Sequence, residues 1–492
     1  MSDKKKINFE MIISVFQFIV SSIFLYFVYQ FPMLSLKWKL AISGVVLLLL
    51  IITSLLFMKG KKGKVALVTT RMFALLLSVL LIVSSLAMPV LTDTFKNVIK
   101  NPETSGTLNM VVFANKDLDT SAENMLFDGD LAIVDKVDIE NQQYAVNYIN
   151  KSFKKEVKTK SYASLMESVK ALYNKEVKYL LLNESYITTI SDSDEYSDFL
   201  MKYKIVYTVE KPVTFEGIVK SAKVTEEPFN IFINGSDYYG KIEGNGRSDV
   251  NMVVSVNPKT KQVLLTSLPR DSYVKLPGFG YAYDKLTHAS IYGVDESIAA
   301  VENLLDIDIN YYVRINFSSV MDIVNVLGGI DVNNPYEFRA FFEGYDEFFE
   351  KGILHLDGYR TLCYVRERKS LPKGDEDRNV HQQIALQAML DKIISPQMIS
   401  KFSSFLSTIS NSFITNMNTN EIFSIIQMQM DDMASWNIVS QALQGGNATE
   451  PTYSMGSREL SVVKLYKSHI SQAKEQIGKV FNGETVEYKE MP

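Results

Sequence analysis

The sequence predicts an α/β protein: three N-terminal transmembrane helices, then a small α/β domain and a larger α-β-α layered domain. Three observations predict it. Three apolar runs without a charge begin at Met11, Leu40 and Met72, each close to the roughly 20 residues that cross a bilayer. After them, short apolar strand-like runs alternate with segments of helical period. Finally, 492 residues exceed one ordinary domain.

The runs are "MIISVFQFIVSSIFLYFVYQF", "LAISGVVLLLLIITSLLFM" and "MFALLLSVLLIVSSLAMPVL". No cleavage site follows the first, which argues against a signal peptide ahead of core helices. Lys4, Lys5 and Lys6 precede the first run, and Lys59, Lys61, Lys62, Lys64 and Arg71 flank the second connection. The first connection has only Lys37 and Lys39. This bias predicts a multi-pass cell-membrane protein with a cytoplasmic N-terminus and an extracellular remainder beyond Leu91. Chemistry there must run without cytoplasmic ATP.

A net charge of -5 excludes a globally basic nucleic-acid binder, and no basic DNA-reading helix is visible. The single cysteine, Cys363, excludes internal disulfides and cysteine-rich zinc sites. It is expected as a small packed residue on the face opposite Arg366. His288, His355, His381 and His469 are too scattered to suggest a zinc cluster.

The expected divisions are 1–92 for the anchor, 105–226 for the small domain, 227–445 for the larger one and 446–492 for a C-terminal extension. In the small domain, "TLNMVVFA", "DLAIVDKVD", "KYLLLN" and "KIVYTVE" read as strands, and "SYASLMESVKALYN" and "SDSDEYSDFLMKY" as helices. Its acidic run Ser191–Glu195 reads as a solvated helix start. In the larger domain "FNIFING" is a strand, "DVNMVVSVNP" and "KQVLLTSLP" a hairpin pair, and "NYYVRINF" and "IDVN" strands. "DESIAAVENLL" and "SSVMDIVNVLGG" are helices, the second stopped by glycines. "QGGNATEPTYSMG" reads as a loop before the helix-like "YKSHISQAKEQIGKVF".

Four polar stretches exceed what local folding requires: "NGSDYYGKIEGNGRSD", "TSLPRDSY", "YDKLTHA" and "YVRERKSLPKGDEDRNVHQQ". On a strand, Arg366 and Arg368 would share a face; Arg378 and Gln382 lie one turn apart on the helix that follows. Like charges brought together need an anion between them. Arginine's planar fork matches phosphate oxygens, so converging arginines favour a phosphate-rich ligand. Pyrophosphate usually travels with Mg2+, and Asp237 and Asp249 are its candidate carboxylates. The competing reading is local salt bridging, Arg366 to Glu367 or Asp375 and Arg270 to Asp271.

Residues 229–394 resemble the LytR–CpsA–Psr proteins of bacterial cell envelopes. The resemblance rests on "GSD" at Gly235, "GRSD" at Gly246, "VSVNPKTKQVLLTSLPRDSYV", "DKLTHA", "VENLL", "YYVRINF", "LGGIDV", "LDGYRTLCYVRER" and "GDEDRNVHQQ", in that order. Three spans followed by an extra α/β unit resemble the capsule branch, in which an accessory domain precedes the catalytic one.

The resemblance implies a membrane-anchored phosphotransferase. Its expected substrate is a polyprenyl-pyrophosphate-linked glycan, here capsular polysaccharide, moved to a peptidoglycan hydroxyl as a phosphodiester. Arg270, Arg366, Arg368, Arg378, Lys285 and Gln382 would grip the pyrophosphate. Asp237 and Asp249 would hold Mg2+, supported by Arg247. Asp249 or Asp271 would take the acceptor's proton. His381 stands where many members carry a second arginine. The polyprenyl tail is expected between "DESIAAVENLL", "SSVMDIVNVL" and the sheet. A polyprenyl-pyrophosphate hydrolase, or a non-catalytic regulator contacting capsule synthesis and export proteins, are the rival expectations.

Overall fold

A computed structural model describes residues 9–31, 34–58, 64–98, 105–118, 127–135, 138–191, 193, 195–214, 220–236, 246–342, 345–399, 405, 408–409, 412–456 and 459–487. The chain divides into two compact units, one of residues 1–101, 394–410 and 417–435, the other of 102–393, 411–416 and 436–492.

The first unit holds α1 (Phe9–Gln30), α2 (Leu36–Met58) and α3 (Lys64–Val98), all long and apolar enough to cross a membrane. Exposed Leu, Val, Ile and Phe side chains cover them, as lipid-facing helices require. Glu10 of α1 pairs with Arg71 of α3.

The second unit opens with β1 (Ser105–Asn115), β2 (Leu131–Val134), α4 (Ile139–Phe153), β3 (Thr159–Tyr162), α5 (Leu165–Tyr173), β4 (Tyr179–Asn183), the short α6 (Ile187–Ser191) and α7 (Phe199–Lys202), and β5 (Tyr203–Thr214). They form one sheet in the order β3-β2-β4-β1-β5. Alternation along β1 feeds two cores. Val111 and Phe113 pack with Leu165, Val169 and Leu172 of α5, whereas Met110 and Val112 pack with Ala145 and Ile149 of α4. Two expectations need correction. Helix α4 was not anticipated, because its apolar residues are sparse among Asn, Gln and Lys. The acidic run does not start a helix: α7 begins only at Phe199, and Asp192 and Asp194 lie outside the described residues.

The larger sheet follows with β6 (Phe229–Ser236), β7 (Ser248–Asn257) and β8 (Gln262–Leu268), then the ribbon β9 (Tyr273–Leu276) and β10 (Ala282–Lys285), α8 (Leu286–Ala289), α9 (Val294–Leu305), β11 (Tyr311–Ile315) and α10 (Phe317–Val326). Next come β12 (Ile330–Asn334), β13 (Phe338–Phe342), β14 (Tyr345–Phe349), β15 (Gly352–Leu356), α11 (Gly358–Arg366) and α12 (Asp375–Ile393). Helices α13 (Pro396–Ile399) and α14 (Thr419–Asp432) belong to the first unit, and β16 (Ile414–Thr415) lies between them in sequence. The chain closes with β17 (Asn437–Ala442), β18 (Gly445–Pro451), β19 (Glu459–Leu465) and α15 (Lys467–Asn482).

The sheet runs β16-β11-β6-β7-β8-β17. On one face Phe232, Val253, Leu264 and Leu268 pack against Ile298, Val301 and Leu305 of α9 and Ala473, Ile477 and Val480 of α15. On the other, Gln383 of α12 donates to Ser267 Oγ at 3.0 Å and to the Gln441 carbonyl at 2.6 Å. Helices therefore cover both faces. Strands β6, β8, β11 and β17 run in one direction, with β7 antiparallel between β6 and β8.

The stretch read as a loop is instead the strand β18, paired with β19 from Gly445–Leu465 to Pro451–Glu459. Apart from Thr449 it lacks the usual strand residues, and its backbone pairing with β19 overrides that weak propensity. The turn after it ties the small sheet to the β9–β10 ribbon. Met455 is buried in the core of the small sheet, and the Ser454 amide donates to Asp284 Oδ2 at 2.7 Å.

Candidate active site

The carboxyl ends of β6, β8 and β11 and the start of β7 meet at one end of the sheet, where open α/β folds bind ligands. Gly235 ends β6 against β7. A Cβ there would lie 2.8 Å from Val250 Cβ, so the close pairing requires glycine. Asn316 caps α10, accepting from the Ser319 amide at 3.0 Å, and the first helical turn opens beside the strand end.

Helix α11 starts at the cap Asp357, which accepts from the Arg360 amide at 2.8 Å. This overturns the strand expected around Arg366. Arg366 is the last residue of α11, and the chain turns extended at Glu367 before Arg368. The two arginines converge because a helix ends between them. Cys363 is buried as expected, but three positions before Arg366 on a helix it does not occupy the opposite face. Helix α11 crosses α10 closely: a Cβ on Gly358 would lie 2.3 Å from the Met321 carbonyl oxygen.

A cavity of about 260 Å³ opens here, lined by Arg247, Arg270, Arg366, Arg368, Arg378, Gln382 and Asp249. Its apolar wall is Val250, Ile315, Phe317, Val320, Leu362 and Val365. Arg270 Nη1 donates to Asp249 Oδ1 at 2.6 Å, Arg378 Nη2 to Asp375 Oδ2 at 3.1 Å, and Arg368 lies 3.8 Å from Asp375. The Arg366 guanidinium sits over the Phe317 ring at 3.9 Å. Local salt bridging thus describes part of the cluster, and the expected Arg270–Asp271 pair is present at 3.7 Å.

Among the described residues, five guanidinium groups share the cavity with one carboxylate. Burial lowers the Arg378 pKa, Asp375 and Asp249 oppose this, and the nearby Arg270 and Arg368 lower it further. Arg378 Nε is buried without a hydrogen-bond partner among the described residues. Such a cluster favours an incoming anion that supplies acceptors and negative charge together.

Lys285 and Asp271 do not line this cavity. They stand behind it: Lys285 Nζ donates to Asp271 Oδ1 at 3.0 Å, and Asp271 lies 3.7 Å from Arg270 Nε. Burial pushes the Asp271 pKa up, but Lys285 and Arg270 more than offset it and hold the carboxyl below its ordinary range. Asp237 lies outside the described residues. Asp249 is therefore the one described member of the expected metal pair, and no group of three His, Cys, Asp or Glu ligands gathers among the described residues. One carboxylate still suits Mg2+ when phosphate oxygens complete its shell.

His381 is fully buried and stacks on Tyr364 and Phe338, with ring centroids 4.2 and 4.9 Å away. Burial lowers its pKa to about 4. It supports α11 from below as a neutral aromatic.

The apolar wall includes α10 but not α9, whose apolar face is core. The sequence reading missed Leu362 and Val365 as wall residues. Their spacing of three on a capped helix was the available signal.

The LytR_cpsA_psr family model matches residues 200–471. The polyisoprenyl-teichoic acid–peptidoglycan teichoic acid transferase TagU of Bacillus mycoides is 39% identical over 207 residues, 42% of this chain and 66% of that protein. The protein of the same name in Enterococcus faecalis is 36% identical over 232 residues, covering 45% and 75%. The chain spans a little under two thirds of the Bacillus mycoides relative. Among solved structures, B. subtilis TagV is similar at 29% identity and a TM-score of 0.45, over 53% of this chain and 99% of that one. The family match extends over more than half of the 492 residues, and the chain belongs to the LytR_cpsA_psr family.

Proposed function

We propose that the chain transfers a glycan from a polyprenyl-pyrophosphate carrier to a peptidoglycan hydroxyl, forming a phosphodiester and leaving polyprenyl phosphate. The observation that carries this reading is the cavity in which five guanidinium groups and an apolar wall adjoin. A lipid pyrophosphate is one of few ligands that needs both. Membership of the family and the transferase names of the relatives support the reaction class. The three apolar helices support a membrane location beside the lipid. The lysine bias around them favours a cytoplasmic N-terminus and an extracellular second unit. Capsular polysaccharide is the proposed glycan, from the three-helix anchor and the additional α/β sheet.

Phosphoryl transfer depends mainly on positioning and charge stabilisation. Arg270, Arg366, Arg368 and Arg378 would hold the two phosphates, with Gln382 and Arg247 beside them. The apolar wall of α10 and α11 would take the first isoprene units. Mg2+ fits at Asp249 and, when bound, would neutralise phosphate charge. The acceptor of the hydroxyl proton is proposed to be Asp249, which lines the cavity, or Asp271, held anionic behind the wall by Lys285 and Arg270. The transferred phosphorus gains an oxygen bond to the acceptor sugar and loses its bond to polyprenyl phosphate.

The test uses the full chain in detergent with purified lipid-linked donor, with and without peptidoglycan. Arg366→Ala and Arg270→Ala are expected to lower transfer by about 100-fold or more, the scale of losing a charge-stabilising donor, at an unchanged unfolding midpoint. Normal turnover in both variants overturns the proposal. Product formed equally well without peptidoglycan makes the chain a hydrolase.

A further inference from the structure

We propose that the outer face of the β9–β10 ribbon is a binding strip for the acceptor glycan strand of peptidoglycan, leading its hydroxyl into the cleft. This rests on the reading above for the cleft but stands on separate residues. In the antiparallel ribbon Lys275 pairs with Tyr283 and Tyr273 with Lys285. Alternation therefore sends Tyr273, Lys275, Tyr283 and Lys285 to one face. The opposite face is core, with Val274, Leu276 and Asp284 buried.

The outer face is an aromatic platform. The Tyr273 and Tyr283 rings stack, with centroids 4.8 Å apart and planes 22° apart. Lys275 Nζ lies 5.8 Å from the Tyr283 ring. Tyr283 is 44% and Tyr281 56% exposed. Tyr281 holds a left-handed backbone at φ 62, which an aromatic residue rarely adopts. The exposed Tyr283 ring, stacked on the half-buried Tyr273, suits a ligand with apolar C–H faces and hydroxyl edges, which is a pyranose ring. They also add contact area at low entropic cost.

The strip is rigid and continuous with the cleft. Tyr273 Oη donates to the Pro451 carbonyl at 2.7 Å. Beneath the ribbon, Asp284 is held by His288 Nδ1 at 2.8 Å and by the Ser454 amide. At its inner end Lys285 bonds Asp271, the neighbour of the cavity-lining Arg270.

Topology favours the acceptor over the donor. Apart from Val250 of β7, the apolar wall lies on the β11 side, while Arg270 and the ribbon follow β8. Attacking and leaving oxygens stand roughly in line across phosphorus. With polyprenyl phosphate leaving toward α10 and α11, the attacking hydroxyl enters from the ribbon side. Lys275 on the strip complements the carboxylates carried by muramyl peptides.

The test measures binding of a soluble glycan strand of alternating N-acetylglucosamine and peptide-bearing N-acetylmuramic acid to the full chain in detergent. Tyr283→Ala is expected to weaken it about tenfold, while Tyr283→Trp retains it and donor affinity is unchanged. Lys275→Glu is expected to weaken the peptide-bearing strand but not uncharged chitotetraose. Wild-type strand binding by Tyr283→Ala at an unchanged unfolding midpoint overturns the strip. So does a Tyr283→Ala loss confined to the lipid-linked donor, which would assign the tyrosines to the donor glycan. If Arg366→Ala turns over normally while Tyr283→Ala loses the strand, the cleft reading falls and the strip stands.

Discussion

The guanidinium of Arg366 lies over the Phe317 ring at 3.9 Å. One residue of α11 thereby joins the charged side of the cavity to its apolar wall. A desolvated cation–π contact contributes up to about 2 kcal/mol, and the ring also offers surface to a lipid chain. Phe317→Ala is expected to raise the dissociation constant for a lipid-linked donor by about tenfold. It should have a smaller effect on a water-soluble pyrophosphate analogue that lacks the lipid. Titration of both ligands in detergent checks this; equal losses would remove the apolar role.

Asp249 accepts from Arg270 and is the one carboxylate among the described residues of the cavity wall. Asp249→Asn keeps the shape but removes the charge that a hard cation needs. Turnover is expected to fall by about 100-fold or more, with the Mg2+ concentration for half-maximal activity shifted upward. An unchanged Mg2+ profile in the variant would exclude Asp249 as a ligand.

Gly358 sets the crossing of α10 and α11. Adding a Cβ places it 2.3 Å from the Met321 carbonyl oxygen and 2.7 Å from Met321 Cα. Backbone cannot yield as a flexible side chain does, so Gly358→Ala must separate the helices. The expected cost is about 1–3 kcal/mol of stability, as for other overpacking changes, with weakened donor binding because both cavity walls move. Denaturant unfolding and donor titration test the two effects.

His381 gives the protein an acid-side sensitivity. Its folded pKa is about 4 against 6.5 for the free side chain, chiefly through burial, while the Tyr364 carbonyl, Asp377 and Glu367 oppose the shift. The unfolded chain therefore binds the proton first. The contribution is full above pH 6.5 and is lost as pH falls toward 4. Its size is on the order of 3 kcal/mol. His381→Phe, which keeps the stack on Tyr364 and Phe338, is expected to flatten stability across this window, measured by unfolding at stepped pH.

Much of the architecture was legible because burial writes a local period. The three apolar runs become α1, α2 and α3, and β6, β7 and β8 appear where alternating or continuous apolar runs stand. Helix α10 ends at Val326, just before Gly328 and Gly329, both with positive φ. The failures are equally physical. Around Arg366 a charged stretch has no readable period, and the cap Asp357 with Leu362 and Val365 was the quieter sign of a helix. Strand β18 owes its form to backbone pairing with β19, which leaves no mark in its own side chains.

By itself the sequence determined the membrane-length helices, the alternation of strands and helices, and an arginine-rich motif suited to phosphate. These follow from hydrophobicity, spacing and residue chemistry, all local properties of the chain. Tertiary structure decided which arginines share a cavity: Arg247 precedes β7, Arg270 follows β8, Arg366 and Arg368 flank the end of α11, and Arg378 lies on α12. It also set Lys285 and Asp271 behind the wall, turned His381 into an aromatic support and stacked the exposed Tyr283 on Tyr273 in the ribbon. Convergence of groups more than a hundred residues apart depends on strand order and helix packing, and no local window of sequence carries that information.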